Sequence, residues 1–138
     1  MIIRYGTDTD KARILDLRPQ AESLFGGNSY FLVAEETDIL GFAIIFHHDI
    51  PAPVEAKEAF INLVEVLDEG NMRKGIASGM VQKILEIERA KDTYQVRAYC
   101  DIWNTASHRL WHKNGFGISP VKMPDGKILG SFVTYVLN

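Results

Sequence analysis

A short segment near the middle of the chain has the residue types of an anion-binding turn. Residues 72–79 read Met-Arg-Lys-Gly-Ile-Ala-Ser-Gly, and they lie between an apolar stretch, Phe60 to Leu67, and an amphipathic segment that runs to about Ala90. Gly75 permits a positive φ angle at the turn, and the small side chains after it leave the N–H groups of the first helical turn exposed. Because such N–H groups attract anions, we expect a phosphate group to bind here.

A second segment further along the chain has the signals of a short helix beside that turn. Residues 104–116 read Asn-Thr-Ala-Ser-His-Arg-Leu-Trp-His-Lys-Asn-Gly-Phe. Asn104 is a preferred N-cap, and the Asn-Gly pair is a helix stop before Phe116 begins the next strand. The apolar side chains between these signals, with Trp111 the largest, fall on one side of the helix and predict a buried face.

Together the two segments resemble the motifs of the GNAT N-acetyltransferase superfamily. The resemblance covers nearly the whole chain, because the predicted order of elements also matches: strand, helix, hairpin, strand, glycine loop, helix, strand, helix, strand, strand. It implies a mixed α/β (α+β) fold with a mostly antiparallel, twisted central sheet of about six to seven strands, flanked by about four helices. The sheet is expected to be splayed between its fourth and fifth strands.

The resemblance implies acetyl-CoA as co-substrate and no metal. The pantetheine arm would pair with backbone in the gap between the splayed strands, and the pyrophosphate would accept hydrogen bonds from the glycine loop. The expected contacts are Val66 and Leu67 for the pantetheine, Arg73, Lys74, Gly75, Ile76, Ala77 and Ser78 for the pyrophosphate, and Asn104 and Ser107 along the channel. Met72 stands where the family usually has Gln or Arg, so backbone amides and the two neighbouring cations would replace that side chain.

The general acid implied by the family is missing. Trp111 occupies the position where many members have a tyrosine that protonates the leaving thiolate, and tryptophan has no titratable proton to give. His108 and Tyr99 are alternative acids; otherwise Trp111 fills the core, His108 is a surface residue and Tyr99 lines a wall. General acid catalysis contributes roughly 10² to 10⁴ in rate, and a thiol of pKa about 8.5 also leaves as the anion, so the substitution slows the reaction without preventing it.

The implied reaction is direct attack of a primary amine on the thioester, and an alkylammonium acceptor needs a base. Removing a proton of pKa about 10.4 costs about 4.6 kcal/mol at pH 7. Glu65, in the strand before the glycine loop and in phase with Leu63 and Leu67, is the best carboxylate candidate, directly or through a water. Further candidates, each of which also reads as an ordinary surface residue, are Asp101, His47, His48 and Asp49.

The composition predicts a single soluble domain over residues 1–138. The chain is 46% hydrophobic and 24% charged, with a formal charge of −3. The basic residues form no run, and no apolar stretch reaches the length of a signal peptide or membrane span, so neither a nucleic-acid nor a membrane partner is expected. Cys100 is the only cysteine, which excludes an intramolecular disulfide and fits a cytoplasmic protein.

The sequence does not identify the acceptor. The connection between the first helix and the second strand is short, and this region usually covers the acceptor in the family, so we expect an open site that suits a peptide or protein amine. A predicted surface loop from Asp49 to Glu58, or the second subunit of a homodimer, could instead close the site over a small molecule. The alternative function is a degenerate GNAT domain that binds CoA or a protein partner without transfer, because Met72 and Trp111 depart from the family pattern.

Overall fold

The strands and helices follow one another in the predicted order. The computed structural model describes residues 1–68, 70 and 75–137. The strands are β1 (Ile2–Tyr5), β2 (Ser29–Glu35), β3 (Ile39–Ile50), β4 (Ala56–Val66), β5 (Gln95–Asp101), β6 (Gly117–Lys122) and β7 (Ile128–Val136). The helices in these ranges are α1 (Asp8–Leu17), a 3₁₀ helix (Pro19–Leu24), α2 (Ile76–Ala90) and α3 (Thr105–Lys113).

All the strands belong to one seven-stranded sheet with the order β1-β2-β3-β4-β5-β7-β6. Neighbouring strands are antiparallel except for β4 and β5, which are parallel. The connection between these two strands contains α2, as a parallel crossover requires. The predicted fold class, a mostly antiparallel sheet with flanking helices, is therefore confirmed.

The one parallel pair is short, and the two strands then separate. β4 and β5 are paired from Glu58 opposite Gln95 to Ile61 opposite Ala98, and β4 continues to Val66 without further pairs to β5 in the described residues. A bulge in β4 coincides with this point, because Ile61 and Leu63 lie opposite consecutive residues of β3 and Asn62 is the extra residue. Since a bulge bends its strand, this bulge accounts for the start of the predicted splay.

The two faces of the sheet are packed differently. On one face, α2 and Trp111 of α3 cover a large apolar cluster that includes Ile61, Val96 and Ala98. On the other face, α1 and the 3₁₀ helix cover a smaller cluster around Ile14, Val33 and Phe42. Among the described residues, this smaller cluster takes its strand residues from β2, β3 and β4 and none from β5, β6 or β7. We call the sheet face that α2 covers the α2 face and the opposite face, which α1 covers, the α1 face.

The prediction of a surface loop from Asp49 to Glu58 is wrong. β3 extends to Ile50 and β4 begins at Ala56, so only residues 51–55 connect them. The polar residues that suggested a loop are paired in a regular ladder, with His48 opposite Glu58 and Asp49 opposite Lys57. Their polarity misled the prediction because the Glu58 side chain finds charged partners within the sheet, described below.

Helix α1 begins with a capping box supported by an arginine. The Thr7 hydroxyl accepts a hydrogen bond from Asp10 N, and Asp10 Oδ2 accepts one from Thr7 N. Arg4 of β1 donates to both oxygens of the Asp10 carboxylate, at 2.6 and 3.2 Å. Hydrogen bonds from Arg4, followed by those from Thr7, lower the pKa of Asp10 to about 2, against the opposing effect of burial.

We expect Asp10→Asn to lower the free energy of unfolding at neutral pH by about 1–2 kcal/mol, because the carboxylate that accepts hydrogen bonds from Arg4 and Thr7 N is replaced by a neutral amide. The folded-state pKa lies below that of an unfolded aspartate, about 3.9, so this stabilisation is present above that pH and is lost as the pH falls towards about 2. Urea unfolding between pH 7 and pH 2 measures it. Asp8→Asn, an exposed residue in the same helical turn, is the control and should change little at any pH.

Candidate functional site

A cleft with a volume of about 580 Å³ opens where β4 and β5 separate. Residues 61–66 of β4 form one wall, and Ala98 and Tyr99 of β5 contribute to the other. The first turn of α2 and one side of α3 complete the cleft. Because β4 beyond Ile61 has no partner on its β5 side among the described residues, its backbone is available there to an extended ligand.

One end of the cleft is the N-terminus of α2. Gly75 is the N-cap and has a left-handed conformation, with φ of 73° and ψ of 18°. The first backbone hydrogen bond of the helix runs from Gly79 N to Gly75 O, so the preceding amides have no acceptor within the helix. The first turn contains no acidic residue, and a Cβ added at Gly75 would meet no atom of the described residues within 4 Å. This end therefore has donors, a favourable dipole and space for an anion.

Two cations on α3 add to this positive end. Arg109 and Lys113 lie one helical turn apart and both line the cleft. Lys113 precedes Asn114, whose Nδ2 lies 3.2 Å from Ser78 Oγ in the first turn of α2. Sequence reasoning missed both cations, although their spacing on a predicted helix places them on one face. Their charge favours an anion at the same end of the cleft as Gly75.

Asn114 holds the two helices of the cleft together. Its Nδ2 donates to Ser78 Oγ and to Leu110 O, and its Oδ1 accepts a hydrogen bond of 2.8 Å from Gln82 Nε2. The residue is buried, so these bonds are shielded from water. The sequence identified Asn114 only as a helix stop. In the structure it also fixes the start of α2 relative to the end of α3.

The other end of α3 presents Asn104 and Ser107 to the cleft, as predicted. Asn104 Oδ1 accepts from Ser107 N at 3.0 Å and caps the helix, and Asn104 Nδ2 is the group of this side chain that can donate to a ligand. Ser107 Oγ accepts from Trp111 Nε1 at 3.0 Å and retains its own proton to donate. Trp111 is buried against Phe116. The alternative interpretation of Trp111, that it fills the core, is confirmed.

Glu65 and Tyr99 stand on the α1 face at the two sides of the opening. Glu65 lies on the same side of β4 as Leu63 and Leu67, which pack into the cluster on that face. Tyr99 alternates with Ala98 and Cys100, which pack into the opposite cluster. Glu65 is the only carboxylate among the described residues that line the cleft. A nucleophile entering from the α1 face would therefore pass between a carboxylate and a phenol.

The matches to known proteins agree with this arrangement. The sequence profile of the Acetyltransferase (GNAT) family matches residues 4–116, which is most of the chain. The protein belongs to the GNAT acetyltransferase family. A search of curated proteins by sequence found no match.

Solved structures of GNAT proteins share the fold over nearly the whole chain. Arabidopsis thaliana NAA60 in complex with acetyl-CoA has a TM-score of 0.77 at 14% identity, covering 99% of this chain and 98% of its own. The ribosomal-protein-S18-alanine N-acetyltransferase from Escherichia coli has a TM-score of 0.73 at 16% identity, covering 99% and 94%. The yncA protein from Salmonella typhimurium, with its cofactor acetyl-CoA, has a TM-score of 0.67 at 21% identity, covering 100% and 94%.

Some of the predicted cofactor residues of this GNAT domain line the cleft, and others do not. Those that line the cleft are Val66, Gly75, Ala77, Ser78, Asn104 and Ser107. The Ile76 side chain is 1% exposed and packs in the core, so only its backbone faces the helix end. Leu67 does not line the cleft; its amide donates to Leu40 O at 2.9 Å and is not free for a ligand. Met72, Arg73 and Lys74 lie outside the described residues.

Of the two alternative acids, only Tyr99 lines the cleft. His108 does not, because its Nδ1 lies 3.0 Å from Asn104 O and 3.2 Å from the buried Cys100 Sγ. The Tyr99 ring lies over Gly130, where an added Cβ would approach Tyr99 Oη to 2.6 Å. Edge contact with Phe132 also holds that ring. The geometry therefore favours Tyr99 over His108 as a proton donor.

The two histidines at the end of β3 are not ordinary surface residues. His47 Nε2 lies 2.7 Å from Glu88 Oε1, and Glu88 is fully buried in α2. His48 Nε2 pairs with Glu58, which is 1% exposed and also bound by Arg97. The carboxylates of Glu88 and Glu58 lie on opposite faces of the sheet, because the adjacent β3 residues that pair with them point to opposite faces. Neither pair lines the cleft.

Two further hydrogen bonds hold the Glu88 carboxylate that pairs with His47. Glu88 Oε1 accepts from Thr93 Oγ1 at 2.7 Å, and Glu88 Oε2 accepts from Tyr30 Oη at 2.5 Å. Burial, together with the bond to Glu88, raises the pKa of the Tyr30 hydroxyl above its usual range.

In the described part of the chain, no group of three or more His, Cys, Asp and Glu side chains could hold a metal ion, and no helix is long and apolar enough to cross a membrane.

Proposed function

We propose that this protein transfers the acetyl group of acetyl-CoA to a primary amine of a small molecule, peptide or protein, in a ternary complex without a covalent enzyme intermediate. One observation carries the proposal. The gap between β4 and β5 joins a positive helix end, at Gly75, to a face that presents Glu65 and Tyr99. An acetyl donor bound in that gap would meet an amine that enters from the α1 face.

The residues of the cleft fit an acetyl-CoA molecule. The amides of the first turn of α2 would bind the pyrophosphate, supported by Arg109 and Lys113. The free backbone of β4 around Val66 would pair with the amide groups of the pantetheine, and Asn104 Nδ2 and Ser107 would donate from the opposite side. Hydrogen bonds to charged groups contribute about 1.5–3 kcal/mol each, so a few of them reach the roughly 8 kcal/mol of micromolar binding.

When bound, acetyl-CoA supplies the activated acetyl thioester, and the C–S bond is replaced by a C–N bond. Glu65 would accept a proton from the bound ammonium, directly or through a water, and the neutral amine would then attack the thioester carbonyl. Tyr99 would protonate the departing thiolate. The backbone of β4 would orient the thioester carbonyl, so the protein contributes mainly positioning and electrostatic stabilisation.

The names of the structural neighbours support a peptide amine among the acceptors. By its name, the Escherichia coli neighbour acetylates an alanine of ribosomal protein S18. In the described residues, the apolar cluster under α1 includes no residue of β5, β6 or β7, which is compatible with an extended chain on the α1 face of these strands. Peptide amines therefore belong among the acceptors to be tested.

The test is release of free thiol from acetyl-CoA in the presence of peptide α-amines, lysine side chains and small primary amines, with calorimetric titration of acetyl-CoA and dephospho-CoA in parallel. We expect binding at tens of micromolar or tighter and thiol release that depends on the amine. Binding without release for any amine would contradict the transferase and support the degenerate CoA-binding domain. Failure of both ligands to bind would contradict the assignment of the cleft.

A further inference from the structure

Glu65, which lines the cleft, forms an ion pair with Arg18, a residue outside the family motifs. Arg18 Nε lies 2.8 Å from Glu65 Oε2. We propose that Arg18 and Glu65 together bind an acceptor that has a carboxylate close to its primary amine, with the ammonium at Glu65 and the carboxylate at Arg18. This proposal rests on the proposed function, because it names the acceptor of that reaction.

Arg18 is held at the edge of the cleft by the local backbone. It is the C-cap of α1, immediately before the 3₁₀ helix that starts at Pro19. Its Nη1 donates to Leu17 O at 2.8 Å, near the negative end of the α1 dipole. The Arg18 side chain is 35% exposed and the Glu65 side chain 26% exposed. Neither side chain is fully buried, so a ligand can reach the Arg18 guanidinium and the exposed part of the Glu65 carboxylate, and the guanidinium is already positioned.

The ion pair leaves hydrogen-bonding capacity unused on both sides. Although Arg18 Nε is close to Glu65 Oε2, its N–H does not point at that oxygen, and the buried oxygen receives no hydrogen bond of good geometry. Guanidinium has five N–H donors in a planar fork that matches a carboxylate. A carboxylate has about four acceptor sites. An incoming carboxylate would use the remaining N–H groups of the Arg18 fork, and an ammonium would bind Glu65 at Oε1, because Oε2 is buried.

Electrostatics favour a zwitterionic acceptor over a plain amine. A plain ammonium at Glu65 would lie close to the Arg18 cation, and this repulsion would weaken its binding. An acceptor that also brings a carboxylate replaces one ion pair with two and restores a neutral arrangement. The same chemistry is available from the α-carboxylate of a free amino acid and from a peptide with an acidic residue after its N-terminus.

The experiment compares matched acceptors that differ in one carboxylate. One arm uses a peptide that begins Ala-Asp and the same peptide with Asn in place of Asp. The other arm uses a free amino acid and its amide. For wild-type protein we expect kcat/KM to favour the carboxylate-bearing member of at least one pair by about tenfold to a hundredfold, as for a charged hydrogen bond. The arm that shows the preference identifies the source.

Variants of Arg18 assign the preference to this side chain. Arg18→Gln should reduce the ratio of the two kcat/KM values to near one, and Arg18→Lys should retain part of it because the charge remains without the fork. Arg13→Gln is the matched control, since Arg13 lies on the same helix in a surface pair with Asp38 and should leave the ratio unchanged. Thermal unfolding of each variant identifies any loss of the fold, and Arg18→Lys then provides the test.

Two results would overturn the inference while the proposed function stands. The first is equal acetylation of both members of both pairs by wild-type protein. The second is a loss of rate in Arg18→Gln that is the same for both members, which would make Arg18 a residue that only positions Glu65. Absence of thiol release with every acceptor is a different result, because it contradicts the proposed function itself.

Discussion

Gly75→Trp is expected to abolish detectable acetyl-CoA binding in a protein that still folds. Gly75 lines the cleft at the start of α2, and a Cβ there would meet no atom of the described residues within 4 Å, so the indole would extend into the open space of the cleft. That space gives access to the amides of the first helical turn. Loss of more than one charged hydrogen bond lowers affinity by about a hundredfold or more, which corresponds to about 2.7 kcal/mol. Calorimetric titration with acetyl-CoA measures the change.

The control for this variant is Gly27→Trp. Gly27 also has a positive φ, 54°, also has no atom within 4 Å of an added Cβ, and does not line the cleft. A non-glycine residue in this conformation costs about 1–3 kcal/mol, so both variants should lose similar stability in urea unfolding. Only Gly75→Trp should lose the ligand. Gly75→Ala, with the same backbone strain and a small side chain, should retain most of the affinity.

Unchanged affinity in a folded Gly75→Trp protein would show that acetyl-CoA does not reach the end of α2. Equal loss in Gly75→Ala and Gly75→Trp would instead show that the backbone conformation matters and that the space above it does not. These outcomes separate the two contributions of the glycine, its positive φ angle and its missing side chain.

Local signals were sufficient to predict the order of the helices and strands. The glycine turn before α2 and the Asn-Gly stop after α3 each mark a boundary through backbone chemistry that involves only near neighbours. The apolar side chains of α3 likewise indicated its buried face, from which Trp111 packs into the core. The splay came from the family resemblance, since pairing between distant strands leaves no local pattern.

Contacts between distant residues could not be predicted in the same way. Glu58 and Glu88 are both buried although charged residues are usually exposed, because His48 and Arg97 contact the first and His47 contacts the second. The partner of Glu65 was likewise hidden, since Arg18 is far from it in sequence. A buried charge needs partners, and sequence alone does not show which distant side chains supply them.

Glu65→Gln is expected to lower kcat for an alkylamine acceptor by about 10² to 10⁴ at pH 7, the usual contribution of a general base. The loss should shrink as the pH approaches about 10, because the fraction of acceptor already present as free amine rises. An acceptor amine with a pKa near 8 should show a smaller loss, since its deprotonation at pH 7 costs only about 1.4 kcal/mol. Steady-state rates with saturating acetyl-CoA at pH 7 and pH 9.5 measure these differences.

Two further variants separate the role of Glu65 as a base from its pairing with Arg18. Glu65→Gln leaves the Arg18 cation without its partner, so Arg18→Gln combined with Glu65→Gln tests whether that unpaired charge causes the loss. Asp101→Asn removes the rival carboxylate at the end of β5, which does not line the cleft. The acceptor should lack a carboxylate, so that binding to Arg18 does not enter the comparison. An equal loss in Glu65→Gln at both pH values would show that Glu65 positions the acceptor and does not take its proton, because a base becomes unnecessary once the amine is neutral.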